Sequence, residues 1–503
     1  MNTIKLSGST LREIAGRGVR IPRYDRAKRV PRVVHIGLGH FHRAHQAFYI
    51  DELLEKGLAA GTGIFEVNLV ADSFPLARIS ASQDYLYTLI CRGDSGDETA
   101  VVAGSIAGYL NAVSDPRGVV ERLAADSTEV ISLTITEKGY YYDAAAGEPA
   151  WDADPVKHDL EYPQAPVTAA GYLAAALDLR GKNGGGKITI MSCDNFPSNG
   201  TVLKNCVLSL CRKTRPGLVS WIEENAAFPL SMVDRITPAT SPVIIGHIEE
   251  RYGIEDGWPV CSEDFRQWVL EDNFSRPSGS GFDPALLAEA GVQVVKDVEP
   301  YELMKIRLLN GSHSALAYPS YLMGFRGVAE AISDPLLGRY IRDKYMEEIS
   351  PTLHTVPGMD LPAYKDTLIR RFSNKNIADT ILRLAAEGSK KIPNFIFNPL
   401  EEALERNLPH GAVVFALAAW ARFLAGTDEN GAVIPLDDPL ASVLSEAAKG
   451  ARNNPERFLR AAGIKRGEHA LALADEFGAS LDAIYRKGTR AALEALTGGR
   501  PTD

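Results

Sequence analysis

The stretch Val33-Val34-His35-Ile36-Gly37-Leu38-Gly39 constrains this chain more than any other. Its first four residues read as a buried strand. Two of the next three are glycines, and helical spacing then runs from about Phe41 to Lys56, with Gly57 as the stop. Strand, glycine turn and helix together open a dinucleotide-binding unit. Gly37 permits the tight turn, and Gly39 withholds a side chain so that a pyrophosphate can approach the backbone at the helix N-terminus. The pattern departs from G-x-G-x-x-G, because His42 stands where the third glycine would be, and a bare G-x-G is common by chance.

The rest of the first half fits such a unit. A second strand is expected at Phe65 to Ala71, with Asp72 at its carboxyl end. An acid there can accept hydrogen bonds from ribose hydroxyls and repel a 2′-phosphate, which favours NAD over NADP; it reads equally as a strand-end turn residue. Further strands are expected at Val101 to Val102, Glu129 to Thr134 and Lys187 to Met191. Helices at Pro116 to Ala125 and Val167 to Leu177 alternate with them, which predicts a doubly wound parallel sheet. The strand at Lys187 runs into Ser192-Cys193-Asp194-Asn195, placing Asp194 and Asn195 where such sheets bind ligands. Residues 262–272 read as a helix, Pro277 to Gly281 as a loop, and Gly291 to Val298 as the last strand. From about Glu302 helical periods dominate, at Leu336 to Ile349, Asn376 to Ala386, Val413 to Leu424, Leu440 to Ala448 and Glu468 to Ala495. The fold class read from this pattern is an α/β, Rossmann-like N-terminal domain at residues 1–296, followed by an all-α domain at residues 297–503.

Size and charge narrow the function classes. A chain of 503 residues exceeds one compact core, so two or three domains are expected. The net charge of −10 argues against nucleic acid or an anionic membrane as the main partner. Five cysteines, Cys91, Cys193, Cys206, Cys211 and Cys261, match no zinc spacing, and the reading is a reducing, cytoplasmic protein. Met1 to Arg20 lacks an apolar core of signal-peptide length, and the run Ala412 to Ala421 is too short to span a bilayer.

In the second half, Lys305-Ile306-Arg307-Leu308-Leu309-Asn310-Gly311-Ser312-His313 carries the chemistry. On an α-helix, Lys305, Asn310 and His313 fall within an arc of about 140° at ~100° per residue. A lysine among apolar neighbours is poorly solvated, which favours its neutral amine and a general-base role. Asn310 offers an amide donor to an oxyanion. Taken alone, the segment reads first as a helix with a snorkelling lysine and a capping asparagine. The position of Lys305, at the expected junction of two domains, raises the catalytic reading.

Val34-His35-Ile36-Gly37-Leu38-Gly39-His40-Phe41-His42-Arg43-Ala44-His45-Gln46 resembles the glycine-turn signature of the mannitol 2-dehydrogenase family, the polyol-specific long-chain dehydrogenases. Four further blocks agree in order: Thr136-Glu137-Lys138-Gly139-Tyr140; Ser192 to Asn195 with Asn199-Gly200; Met232-Val233-Asp234-Arg235-Ile236-Thr237; and Lys305 to His313. The resemblance implies NAD-dependent hydride transfer between a polyol and a ketose, no metal, and a monomer. It carries Lys305 over as the general base and Asn195 with Asn310 as the pair that stabilises the alkoxide. It places His313, Asp234, Val233, Arg383 and Lys391 at the substrate and Glu302 on the proton route. The turn Gly37, Leu38, Gly39, His40 and Phe41 would hold the cofactor, with Asp72 and Glu137.

D-mannitol is the expected substrate. Within the family a hexuronate reductase acting on fructuronate and mannonate, or an arabinitol or sorbitol enzyme, is the alternative. Two readings from other classes stand beside it. One is a metallohydrolase built on the crowded His40, His42 and His45; the other is a nucleotide-sensing regulator without catalysis, against which Lys305, Asn195 and Asn310 speak. The acid at residue 72 is testable on its own. Asp72→Ala should narrow the preference for NAD over NADP, measured as the ratio of kcat/KM for the two cofactors. An unchanged ratio, or a wild type that prefers NADP, removes Asp72 from the cofactor site.

Overall fold

Val33, Val34, His35 and Ile36 are all buried, as a strand covered on both faces requires, and they lie in the middle of a six-stranded sheet. This computed structural model describes residues 2–59, 61–71, 74–275, 282–377 and 379–498. The chain divides into two units, Met1–Glu299 and Pro300–Asp503.

The sheet of the first unit comprises β1 (Val30–Ile36), β2 (Thr62–Asn68), β3 (Ile106–Asn111), β4 (Val130–Leu133), β5 (Ile188–Ser192) and β6 (Ala226–Ala227). Its order is β6-β5-β4-β1-β2-β3, and every neighbouring pair is parallel. The order reverses between β4 and β1, and ligands of such sheets bind at the carboxyl ends of the strands beside that reversal. Side chains alternate between two cores. Val34, Ile36, Ile131 and Leu133 face helices Ala169–Lys182 and Asn199–Thr214, while Val33, Ile64, Val130 and Met191 pack with helix Gln46–Glu55 and with Trp268.

The structure departs from the sequence reading at definable places. The expected strand at Val101 to Val102 belongs to a hairpin, Tyr87–Arg92 with Glu98–Ala103, outside the main sheet; the chain returns to the parallel sheet with β3. Residues 262–272 are not a helix. They form most of strands Val260–Glu263 and Gln267–Glu271, the second held between Ser231–Asp234 and Gln293–Val295. Trp268, Val269 and Leu270 are fully buried, and a short run enclosed on both faces carries no period that separates strand from helix. The helix expected from Phe41 to Lys56 is broken at His45, whose backbone leaves the helical region (φ −116, ψ −96) between His40–Ala44 and Gln46–Glu55.

The second unit is helical. Every residue from Ala412 to Leu424 is buried, so helix Gly411–Leu424 has no face for water, and it packs against Gly311–Leu322 and Gly467–Lys487. The long helix expected at Glu468 to Ala495 is split at Gly488 (φ +82) into Gly467–Lys487 and Thr489–Thr497. The helix expected at Asn376 to Ala386 shrinks to Ile381–Ala385. Lys305–Asn310 is a π-helix rather than an α-helix, so each residue turns through a smaller angle than the α-helical arc assumed. Among the described residues no helix is long and apolar enough to cross a membrane.

Gly37 is the residue on which the sheet's ligand edge closes. Its φ is +118, and an added Cβ would overlap the Thr134 carbonyl oxygen at the end of β4. Gly37→Ala should lower unfolding free energy by about 1–3 kcal/mol, the usual cost of a strained backbone position, measured by urea unfolding. A wild-type midpoint would show that the turn relaxes freely.

Candidate functional site

The turn after β1 is built from backbone contacts that the two neighbouring strands supply. Gly37 N–H donates to Val67 O at 2.8 Å, and Leu38 N–H donates to the Asn68 side-chain oxygen at 3.1 Å. The Thr134 hydroxyl donates to Gly37 O at 3.2 Å. At Gly39 the nearest atom to an added Cβ is 3.8 Å away, so the protein itself does not need a glycine there. The open side is room for a ligand, as a phosphate-binding turn requires. Leu38 is buried, and His40 and Phe41 are half-buried. Burial, with the nearby Arg43 charge, holds the His40 imidazole below its usual pKa. Asn68 was not singled out from the sequence; its place at the last residue of β2 is the signal that could have found it. Asp72 lies outside the described residues.

His42, at the third position of the glycine fingerprint, stacks on His35 of β1 with ring centroids 3.4 Å apart and planes inclined by 12°. Its Nε2 lies 2.8 Å from a Glu66 carboxylate oxygen, and all three side chains are essentially without water. His35 is tied to the Ser132 and Thr134 hydroxyls, each at 2.8 Å. The ligand atoms of His35, His42 and Glu66 fall within 4.8 Å of one another. That distance suits a metal, but the orientation does not. Two nearly parallel imidazoles 3.4 Å apart cannot both aim an in-plane lone pair at one ion at the ~2.0–2.1 Å of a His–metal bond. His45 turns elsewhere, with Nε2 2.9 Å from Gln267 O, so His40, His42 and His45 do not converge.

Burial decides where the proton of this cluster resides. It holds His42 down to about 3 and pushes Glu66 up to about 7, so the carboxyl keeps the proton and the imidazole stays neutral. The 2.8 Å approach is therefore read as an acid beside a neutral base rather than as an ion pair.

At the ends of β4 and β5, Asp194 holds two loops together. Its carboxylate accepts from Ile135 N–H at 3.0 Å, Thr136 N–H at 2.9 Å and the Tyr140 hydroxyl at 2.7 Å. Burial raises the Asp194 pKa and these three bonds offset part of that rise. Asn195, the next residue, is exposed, and so is Glu137 on the loop that Asp194 fixes. Asn199 then reaches across: its amide nitrogen donates to Asp194 O at 3.0 Å and to Ser231 O at 2.7 Å, while its oxygen accepts from Ser231 N–H at 3.1 Å. Strand Ser231–Asp234 carries the buried Val233 and Asp234. One asparagine thus ties the Asn195 loop to the Val233–Asp234 strand. The sequence marked Asn199 as part of a block but gave it no role.

In the second unit Lys305 is 4% exposed at the first residue of the π-turn, and Asn310 closes the turn half-buried. Glu302 is half-buried in the helix just before it, and the half-buried His313 ring rests 4.6 Å from the Phe372 ring. Arg383 is exposed and paired with Asp379, whose hydrogen bonds hold the guanidinium charged. Lys391 donates to Leu384 O at 3.1 Å; burial, then the Arg383 charge, lowers its pKa. The predicted residues therefore fall into two groups, one on each unit.

Residues 31–279 match the family profile described as the mannitol dehydrogenase Rossmann domain, and residues 297–484 match the mannitol dehydrogenase C-terminal domain. A mannitol 2-dehydrogenase of Aspergillus fumigatus is 40% identical over 91% of this chain and 92% of its own length. Among solved structures, the Pseudomonas fluorescens mannitol 2-dehydrogenase in a ternary complex with NAD and D-mannitol superposes with a TM-score of 0.88 at 36% identity, covering 99% of this chain and 100% of that one. A substrate-free D-sorbitol dehydrogenase superposes with a TM-score of 0.87 at 35% identity, covering 97% and 100%.

The His42–Glu66 pair gives a pH test. Glu66 titrates near 7 when folded and near 4.5 when unfolded. Below about 4.5 it is protonated in both states and its contribution is complete. As pH rises the unfolded chain releases its proton first, so stability falls until both states are ionised above about 7. His42 and His45, held down to about 3 by burial, contribute a rise over the same pH range up to about 6.5, so Glu66→Gln should make the slope of urea-unfolding free energy against pH more positive across this window. Asp51, pushed up to about 6 by burial, adds a falling contribution that the variant keeps. An unchanged slope in the variant would show that Glu66 does not hold the proton.

Proposed function

The chain belongs to the mannitol dehydrogenase family, and from that premise we propose that it oxidises an acyclic polyol to the ketose with NAD, D-mannitol to D-fructose foremost. D-sorbitol and D-arabinitol are the secondary substrates of this reading, and likeness to a sorbitol dehydrogenase supports the first of them. Oxidation removes a hydride and a proton from one H–C–O–H unit. NAD+, when bound, supplies the hydride acceptor. The open side of Gly39, at the reversal of the strand order, fits its phosphates. Gly37, Leu38, Gly39, His40, Phe41 and Glu137 would hold it, and Asp72 its ribose.

Lys305 takes the hydroxyl proton. The observation that carries this assignment is its burial: at 4% exposure an ammonium is poorly solvated, which favours the neutral amine a base needs. The amides of Asn310 and Asn195 donate to the oxygen as it gains charge; one such donor is typically worth ~2.7–4 kcal/mol at the barrier. Arg383, Lys391, Asp234, Val233 and His313 bind the substrate's other groups. Glu302, in the helix that leads into the turn, passes the proton outward. The reading takes the working unit as a single chain. Five buried cysteines, none in a disulfide, suit a reducing compartment, and the reading places the enzyme in the cytoplasm.

Steady-state rates with NAD+ on mannitol, sorbitol, arabinitol and mannonate test the substrate. Turnover of mannonate with none of mannitol would move the chain to the uronate branch. Lys305→Ala should lose roughly 10²–10⁴-fold in kcat, the usual share of a general base, while binding NAD as before. Oxidation by the wild type should quicken with rising pH as Lys305 loses its proton, and the variant should lose that rise. A variant with wild-type turnover and pH profile is incompatible with Lys305 as the base.

A further inference from the structure

Three segments of the second unit leave the α-helix in the same way: Lys305–Asn310, Tyr340–Tyr345 and Pro393–Phe397. After each, a backbone N–H reaches back five residues, from Gly311 to Ile306, from Met346 to Ile341 and from Asn398 to Pro393. Such wide turns are rare, and they gather where a helix must be held off its natural register. Here the three meet at one residue. A Cβ built on Gly311 would overlap the Tyr345 hydroxyl, lie 3.3 Å from the ring carbon that bears it, and lie 3.2 Å from the Phe395 carbonyl oxygen. Tyr345 ends the second wide turn and Phe395 sits inside the third.

Gly311 has ordinary helical dihedrals (φ −61, ψ −44), so its lack of a side chain supplies room rather than conformational freedom. The Tyr345 side chain is fully buried, and its hydroxyl has no hydrogen-bond partner among the described residues. Its place is set by packing, not by a bond of its own. From the other side Arg307, within the first wide turn, donates to a Glu402 carboxylate oxygen at 2.8 Å and to Thr352 O.

We infer that Gly311 is a positioning residue for the reaction: its bare α-carbon lets the Tyr345 ring and the Phe395 carbonyl close on the Lys305–Asn310 turn and hold it wide. A wide turn holds about one residue more than an α-helical one, so its collapse would rotate Lys305 by ~100° relative to the helix that carries His313. The inference rests on the reading of Lys305 as base and Asn310 as alkoxide donor.

The test uses Gly311→Ala, Tyr345→Phe, the double variant and Lys305→Ala, each in the full chain. Gly311→Ala should lower kcat roughly 100-fold, the cost of displacing a catalytic group by about 1 Å, and shift the pH midpoint of oxidation. NAD affinity, read by fluorescence titration, should stay within about twofold. Tyr345→Phe should lower kcat less than threefold. The double variant should recover at least tenfold over Gly311→Ala, because the atom the methyl strikes is gone. Wild-type kcat in Gly311→Ala, or a double variant no better than the single, overturns the inference. If Gly311→Ala is too unstable to assay, recovery of its Tm by Tyr345→Phe, with kcat measured on the recovered protein, tests the same contact; no recovery overturns it. Lys305→Ala separates the two readings. If it keeps wild-type turnover, the base assignment fails whatever Gly311 does. If it is inactive while Gly311→Ala turns over normally, only the positioning role of Gly311 fails.

Discussion

Two strand ends approach each other so closely at Gly37 and Thr134 that no side chain fits between them. Much of the first unit follows from that approach. It brings the end of β1 against the end of β4, where the strand order reverses. It leaves Leu38 N–H to be taken by Asn68 and keeps the open side of Gly39 turned away from protein atoms. A parallel sheet has its loops at one edge whatever its sequence; what distinguishes this edge is that its main chain is pinned from both neighbouring strands. The same logic recurs at β5, where Asp194 fixes the adjoining loop and Asn199 fixes the strand beyond.

The second unit meets a different constraint, that of enclosing a lysine nearly free of water at the start of a wide turn. Burying an ammonium is costly, and a base must shed that charge at working pH. Lys305 is 4% exposed at the first residue of that turn, and Gly311, which follows the turn, is crowded by the Tyr345 hydroxyl and the Phe395 carbonyl. Lys391 shows the contrasting device: it is half-buried, donates to a backbone carbonyl, and faces the charge of Arg383.

The doubly wound parallel class, the glycine turn and the helical second half were legible in the sequence because each rests on local pattern: apolar runs, glycine pairs, helical periods. The family blocks added the positions of Lys305, Asn195 and Asn310. What stayed hidden is non-local. The strand at Gln267–Glu271 is paired along both edges with segments more than twenty residues away, and its short apolar run suits either state. The π-turn at Lys305 is invisible because an extra residue in a helical turn leaves the apolar spacing almost intact, and the groups that crowd Gly311, at Tyr345 and Phe395, lie far along the chain. The roles of His35 and Glu66 emerge only when adjacent strands bring them under His42.

Helix Gly411–Leu424 is enclosed on every side, and it covers the helix Gly311–Leu322 that follows the Lys305 turn. Chain order therefore becomes a timetable. While the protein is being made, the first unit is complete in sequence before the second begins. Yet the shield over the lysine's own helix is not synthesised until about a hundred residues later, and the helix Gly467–Lys487 that backs the shield comes later still. Until those segments leave the ribosome, the Gly311–Leu322 helix remains wet on its inner face. A nascent chain can thus hold a finished first unit while lacking the dry surroundings that enclose Lys305 in the complete fold.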